Sequence, residues 1–130
     1  MLKVLPVESK EKQKDICDKC GVVFNADTLA YAATVDDRLA GVCQFKVAAE
    51  GGLIYDLAPA LDFENFEAMF VMGRGALNFI DLCGVHNASF VGEVKDASLL
   101  RAVGFKESED GRFEINLEGF FTDHCHNHKS

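Results

Sequence analysis

Two groups of residues in this 130-residue chain have types and spacings that chemistry can use. Cys17 and Cys20 form a Cys-x-x-Cys pair, and the C-terminal run holds His124, Cys125, His126 and His128. Thiolates and imidazoles can complete a tetrahedral zinc site, which would tie the tail to the first helix. The run offers neither a second Cys-x-x-Cys nor the usual His spacing, and free Cys also serves as a small apolar side chain. A redox pair is the poorer reading, because such pairs sit at a helix N-terminus where the dipole stabilises thiolate, and this one ends its helix. The second group is Gly73-Arg74-Gly75, which stands before an apolar run as a phosphate-binding loop stands before its helix.

Periodicity decides how that second group is held. Phe63, Phe66, Phe70, Leu77 and Ile80 recur at steps of three and four, apart from one step of seven that skips Gly73. A loop at 73–75 would leave only about two helical turns behind it, too few to stand alone. One continuous helix, capped by Asp62 and stopped by Gly84, costs roughly 1 kcal/mol per glycine, which burial of the Phe and Leu side chains offsets. On this reading the glycines let the helix lie close to a sheet and do not cradle phosphate.

The remaining elements follow from local signals. Lys3 to Val7 reads as a strand, and Ser9 caps a helix through "KEKQKDICDKC" that Gly21 ends. Ile16, Cys17 and Cys20 make its one narrow apolar stripe. "TLAYAATV", a turn at Asp36-Asp37-Arg38, "LAGVCQFKV", a turn at Glu50-Gly51-Gly52 and "LIYDLAP", stopped by Pro59, form an antiparallel meander. "ASFVGEV" is a strand, "DASLLRAV" a short helix closed by Gly104, and "FKESEDGRFEINL" a hairpin turning at Asp110-Gly111. Cys43 and Cys83 are expected to pack in the interior, and His86 is expected in a loop. Residues 1–119 make one domain, followed by a polar Cys/His-rich tail at 120–130.

Composition limits the function classes. With 48% hydrophobic residues and 11 Phe the chain has material for a single core. A formal charge of −8 opposes a phosphate backbone, so nucleic acid is not an expected partner. No apolar stretch approaches the ~20 residues of a membrane span, and "MLKVLPVESK" lacks the apolar core of an export signal. A cytoplasmic protein without membrane attachment is expected. Its five Cys, an odd number, suit reduced thiols.

The order strand, helix, three-strand meander, long helix, strand, short helix, hairpin resembles the GNAT superfamily of acyl-CoA-dependent N-acyltransferases. The residues that carry the resemblance are "DDRLAGVCQF", the "LAP" closing the third meander strand, and "LLRAVGFKE", similar to the family's short helix running into Gly-Phe. It covers the chain to about Leu117. The resemblance implies an α/β (α+β) fold, a mixed and mostly antiparallel sheet with helices on both faces, splayed between "LIYDLAP" and "ASFVGEV". It further implies acetyl-CoA or another acyl-CoA in the gap. The pantetheine arm would pair with backbone at Leu57 and Ala58, and the pyrophosphate would sit at the long helix's N-terminus, by Asn65 and Phe66. Asp56 and Tyr55 lie on the strand that would line the cleft; since side chains alternate, one of them should face it. Asp56 could then take the proton of an amine substrate, small molecule or peptide. The bland alternative is a solvated Asp56 and a core Tyr55.

Two departures from the family pattern bear on activity. Where members carry a glycine-rich loop led by Arg or Gln, this chain has "LDFENFE", with no glycine and three carboxylates that oppose a pyrophosphate. Where many members carry a Tyr that protonates the departing thiolate, it has Leu100. The expected function is N-acyl transfer from acyl-CoA to an amine with a degenerate pyrophosphate loop, by a monomer or homodimer. The alternative is a non-catalytic GNAT-fold binding or regulatory module, with metal bound through the Cys/His tail.

Overall fold

The computed structural model describes residues 1–121. Strand β1 (Leu2–Pro6) leads to helix α1 (Lys10–Cys20), whose first turn is closed by the Ser9 hydroxyl accepting from the Lys12 N–H. Gly21, at φ 68°, ends α1 in the left-handed region, where a side chain would be strained. Strands β2 (Leu29–Val35) and β3 (Arg38–Ala48) join through Asp36 and Asp37, both at positive φ, which is the two-residue hairpin turn whose twist suits the strands.

Then come β4 (Gly51–Ile54), β5 (Ala58–Pro59), α2 (Phe66–Leu82), β6 (Asn87–Phe90), α3 (Ala97–Val103), β7 (Lys106–Glu107) and β8 (Phe113–Asn116). The sheet runs β1-β2-β3-β4-β6-β8-β7, with β5 paired to β3 alone. Every pairing is antiparallel except β4 with β6. Alternation along β3 sends Cys43 and Phe45 into the core beneath α2 and α3, and Val42 and Gln44 to the α1 side, so helices cover both faces. This is the expected fold class.

Helix α2 is one rod through Gly73, as its periodicity predicts, and it carries no loop at Arg74. Its N-terminus differs from the reading: Asn65 caps it, its side chain accepting from the Ala68 N–H at 2.9 Å, and Asp62 does not. Phe63 therefore lies ahead of the helix, in a turn pinned by Arg38, which donates to the Asp62 carbonyl at 2.8 Å and covers the Phe63 ring. Phe63 is bridged to Ala60, which keeps the chain out of the helix past Asp62, so α2 begins only after Asn65.

Two further expectations are corrected. The turn after β3 is Ala49-Glu50, and Gly51 and Gly52 belong to β4, where a Cβ on Gly52 would strike Ile80 of α2. Gly52 serves helix approach, and Gly51 lies against the Asn87 side chain; neither serves chain reversal. Cys83 is exposed at the end of α2, whereas Cys17, Cys20 and Cys43 are buried. His86 lies in the loop before β6 and meets Asp81 at 2.6 Å. Phe120 and Phe121 pack against the main core, and Arg74 lies over the Phe70 and Phe120 rings while its Nε donates to the Val103 carbonyl. No helix of the described residues is long and apolar enough to cross a membrane.

Candidate acyl-donor cleft

The site originates in a mismatch of one residue. Ile54 pairs with Phe45 and Ala58 with Val42, so four steps along β4–β5 answer three along β3. The extra residue makes Tyr55–Leu57 bulge out of the sheet, and bulges of this kind re-aim side chains. On the other edge β4 runs parallel to β6 only as far as Ile54 opposite Phe90, after which the two chains part. The parting is held open at close range: Gly92 lies against the Tyr55 carbonyl oxygen, where a Cβ would collide.

The fork opens into a cleft of about 1390 Å³. Its walls are the loop after α1, the bulge with β5, the α2 entrance, and the segment from β6 into α3. Tyr55, Asp56, Leu57, Ala58, Asn65 and Phe66 all line it, so the structure brings the expected donor and acid/base residues together. Both Tyr55 and Asp56 contribute to the lining, in a segment where the bulge interrupts regular strand pairing. Leu100 lines the cleft too.

Asp56 is half-buried, and its carboxyl is held above the usual range by desolvation, opposed by a hydrogen bond from Gln44 and by the charge of Lys95. It is thus neither a freely solvated strand residue nor a core residue. Gln44, fully buried, donates from Nε2 to Asp56 Oδ2 at 2.6 Å. Gln44, Gln13 and Thr28 form a buried polar cluster against the loop after α1, and sequence reasoning passed over all three. The available signal was a Gln inside the apolar run Val42-Cys43-Gln44-Phe45, where only a satisfied amide can be buried.

The proposed zinc ligands are not assembled by the described residues. Cys17 and Cys20 are core side chains of α1, their thiols pushed up to about 11 and about 12, chiefly by burial. His124, Cys125, His126 and His128 lie outside the described residues. Among the described residues no three His, Cys, Asp or Glu side chains come together as a metal-holding group.

No family model matches the chain, and no curated protein matches its sequence. Solved structures do match its fold. The ribosomal-protein-S18-alanine N-acetyltransferase from Escherichia coli superposes with a TM-score of 0.66 at 14% identity, over 90% of this chain and 94% of that one. A Bacillus subtilis acetyltransferase in complex with CoA gives 0.66 at 16% identity, over 90% and 99%. The PaiA N-acetyltransferase from Thermoplasma acidophilum, in complex with coenzyme A, gives 0.66 at 13% identity, over 89% and 99%. The chain therefore has the fold of the GNAT N-acetyltransferases.

Proposed function

We propose that the chain is an acyltransferase that moves an acyl group from acyl-CoA to an amine in the forked cleft. The observation that carries this reading is the fork itself. Beyond the Gly92 contact at Tyr55, the Asp56–Ala58 segment is paired on its β3 side only, and its other edge lies along the cleft, which an extended pantetheine arm can enter as an added strand. Two of the solved structures sharing this fold hold CoA.

The chemistry asks little beyond positioning. A neutral amine attacks the thioester carbonyl, a C–N bond forms, the C–S bond breaks, and CoA leaves as its thiolate. Asp56 takes the proton from the incoming ammonium, for which a raised carboxyl is better matched than an ordinary one. Leu100 has no proton to give, so the second proton that nitrogen loses on becoming an amide passes to solvent, and the thiolate takes its proton from solvent. The cleft wall carries Asp56, Asp62, Glu64, Glu93 and Asp96 against Lys95, which favours a cationic acceptor, small molecule or peptide.

The same acids make the pyrophosphate subsite weak. At the start of α2 the amides of Phe66 and Glu67 precede the first bonded turn and can meet an anion, while Asn65 holds the Ala68 N–H. Asp62, Glu64 and Glu67 surround them with negative charge. Low donor affinity follows, and a binding module without turnover is the second reading, favoured by Leu100 in the acid's place.

Titrating acetyl-CoA while following the thermal midpoint tests the first step, since a ligand of the folded state raises the midpoint once it exceeds its Kd. A rise, followed by CoA release with an amine panel, is expected. No rise at millimolar acetyl-CoA overturns both the donor site and the activity; a rise without CoA release selects the second reading.

A further inference from the structure

Gln44 uses every hydrogen-bonding position of its carboxamide. Its Oε1 accepts from the Asn25 N–H at 2.9 Å and from Gln13 Nε2 at 2.8 Å, and its Nε2 donates to the Val23 carbonyl at 2.9 Å and to Asp56 Oδ2 at 2.6 Å. Two of these partners are backbone groups with fixed roles: an N–H only donates and a carbonyl only accepts. They settle which end of the amide is which, because a flipped amide would set NH2 against N–H and oxygen against oxygen. The remaining Nε2 hydrogen must then point at Asp56 Oδ2. Among the described residues Asp56 Oδ1 accepts no hydrogen bond.

We propose that Gln44 is the positioning residue for Asp56: it holds Oδ2 as a permanent acceptor, so that protons come and go at Oδ1 alone. The same amide anchors Val23 and Asn25, which belong to the lip of the cleft. Lip and carboxylate are thereby oriented by one side chain. If the lip lifts, Gln44 loses two of four partners and its hold on Asp56 relaxes. This inference rests on Asp56 being the base of the proposed transfer.

The groups facing Asp56 can be enumerated from the elements around it. Lys95 lies across the cleft and favours the ionised carboxylate. Asp62, Glu64, Glu93 and Asp96 also line the cleft. The thiols of Cys17 and Cys20 come from α1, and that of Cys43 lies on the far face of β3; burial raises all three, so they stay neutral while the carboxyl titrates. Gln44 is thus the one uncharged group among them that distinguishes the two states of Asp56 by a hydrogen bond, which favours the ionised form.

The test is a carbon-13 NMR titration of the Asp56 carboxyl, its signal assigned by Asp56→Asn, in the wild type and in Gln44→Met, Gln44→Glu and Gln13→Met. The midpoint should rise by about one unit in Gln44→Met, where the hydrogen bond to the ionised form is gone. It should rise further in Gln44→Glu, where the two carboxyls titrate as a coupled pair. Gln13→Met loosens the same cluster without touching Asp56 and should leave the midpoint in place. Gln44→Glu keeps both accepted hydrogen bonds and, when protonated, one donor, so it supplies the reading if Gln44→Met does not fold. An unmoved midpoint in the folded Gln44 variants, or an equal rise in Gln13→Met, overturns the proposal. None of this requires turnover: a shifted midpoint in a protein without acyl transfer sinks the proposed activity and leaves the positioning intact. Where CoA release is measured, the acid limb of kcat should move to higher pH with the NMR midpoint in Gln44→Met.

Discussion

Gly92 lies beneath the carbonyl oxygen of Tyr55 with no room for a Cβ between them. That contact is the hinge of the fork, for it joins the last shared level of β4 and β6 to the point where they separate. Gly92→Ala must move either the bulge or the segment after β6. A loss of about 1–3 kcal/mol in urea denaturation is expected, as for other overpacked sites, together with weaker acetyl-CoA binding. An alanine accommodated without cost would mean that the fork opens more easily than this contact implies.

Asp56→Asn separates stability from activity. In the folded chain the carboxyl sits above its ordinary 3.8, chiefly through desolvation, so the folded state binds the proton more tightly than the unfolded one. Wild-type stability should therefore fall as pH rises from 3.8 through the raised folded value, and stay lower above it. The asparagine removes this slope and still accepts from Gln44. Chemical denaturation at a series of pH values should show Asp56→Asn at least as stable as wild type at neutral pH. Acyl transfer should drop roughly 10²–10⁴-fold, the usual worth of a general base.

The two glycines of α2 are unequal. A Cβ at Gly75 would meet only ordinary contacts with Tyr31 and Val4, at 3.9 and 4.0 Å, whereas one at Gly73 would press Leu57 and Val103 at 3.1 Å. Gly75→Ala should stabilise by up to about 1 kcal/mol through helix propensity alone. Gly73→Ala should gain less or lose, because Val103 is β-branched and fully buried. Thermal midpoints of the two variants give the order directly.

That contrast also shows how far local signals reach. The continuity of α2 was legible because Phe66, Phe70, Leu77 and Ile80 keep helical spacing across Gly73. The caps at Ser9 and Gly21 and the hairpin at Asp36-Asp37 were legible for the same reason: each depends on its own few residues. The bulge at Tyr55–Leu57 was not, since it is a difference in count between two strands and leaves no mark on either. Gln44 was hidden likewise. Its partners Gln13, Asn25 and Asp56 are 31, 19 and 12 residues away, and only the fold brings them to one amide.

The acidic start of α2 sets stability against donor binding. Glu64 and Glu67 are exposed beside the helix N-terminus, where each favours the dipole by about 0.3–1 kcal/mol. The double variant Glu64→Gln/Glu67→Gln should therefore be slightly less stable than wild type. It should also bind acetyl-CoA several-fold more tightly, with the gain shrinking as salt is added. Calorimetric titration at two ionic strengths checks both parts.

Thiol reactivity should divide the cysteines by burial. In a Cys125→Ser background the exposed Cys83 should react with a thiol reagent at once, while Cys17, Cys20 and Cys43 react only as the chain unfolds. Burial raises the Cys17 and Cys20 thiols to about 11 and about 12, so little thiolate exists at neutral pH while the chain stays folded. A count of one fast thiol per chain is the expected result.

The single surplus residue between Ile54 and Ala58 lies where the sheet forks, and the bulge it makes carries Asp56 at the cleft. Removing one residue from 55–57 would let β4 and β5 zip onto β3 as an unbroken strand. The bulge that lines the cleft and the present placement of Asp56 would then be lost in one step. This wall of the cleft has no gradual path to loss by shortening: the count is either uneven, and the chain bulges, or even, and there is only sheet.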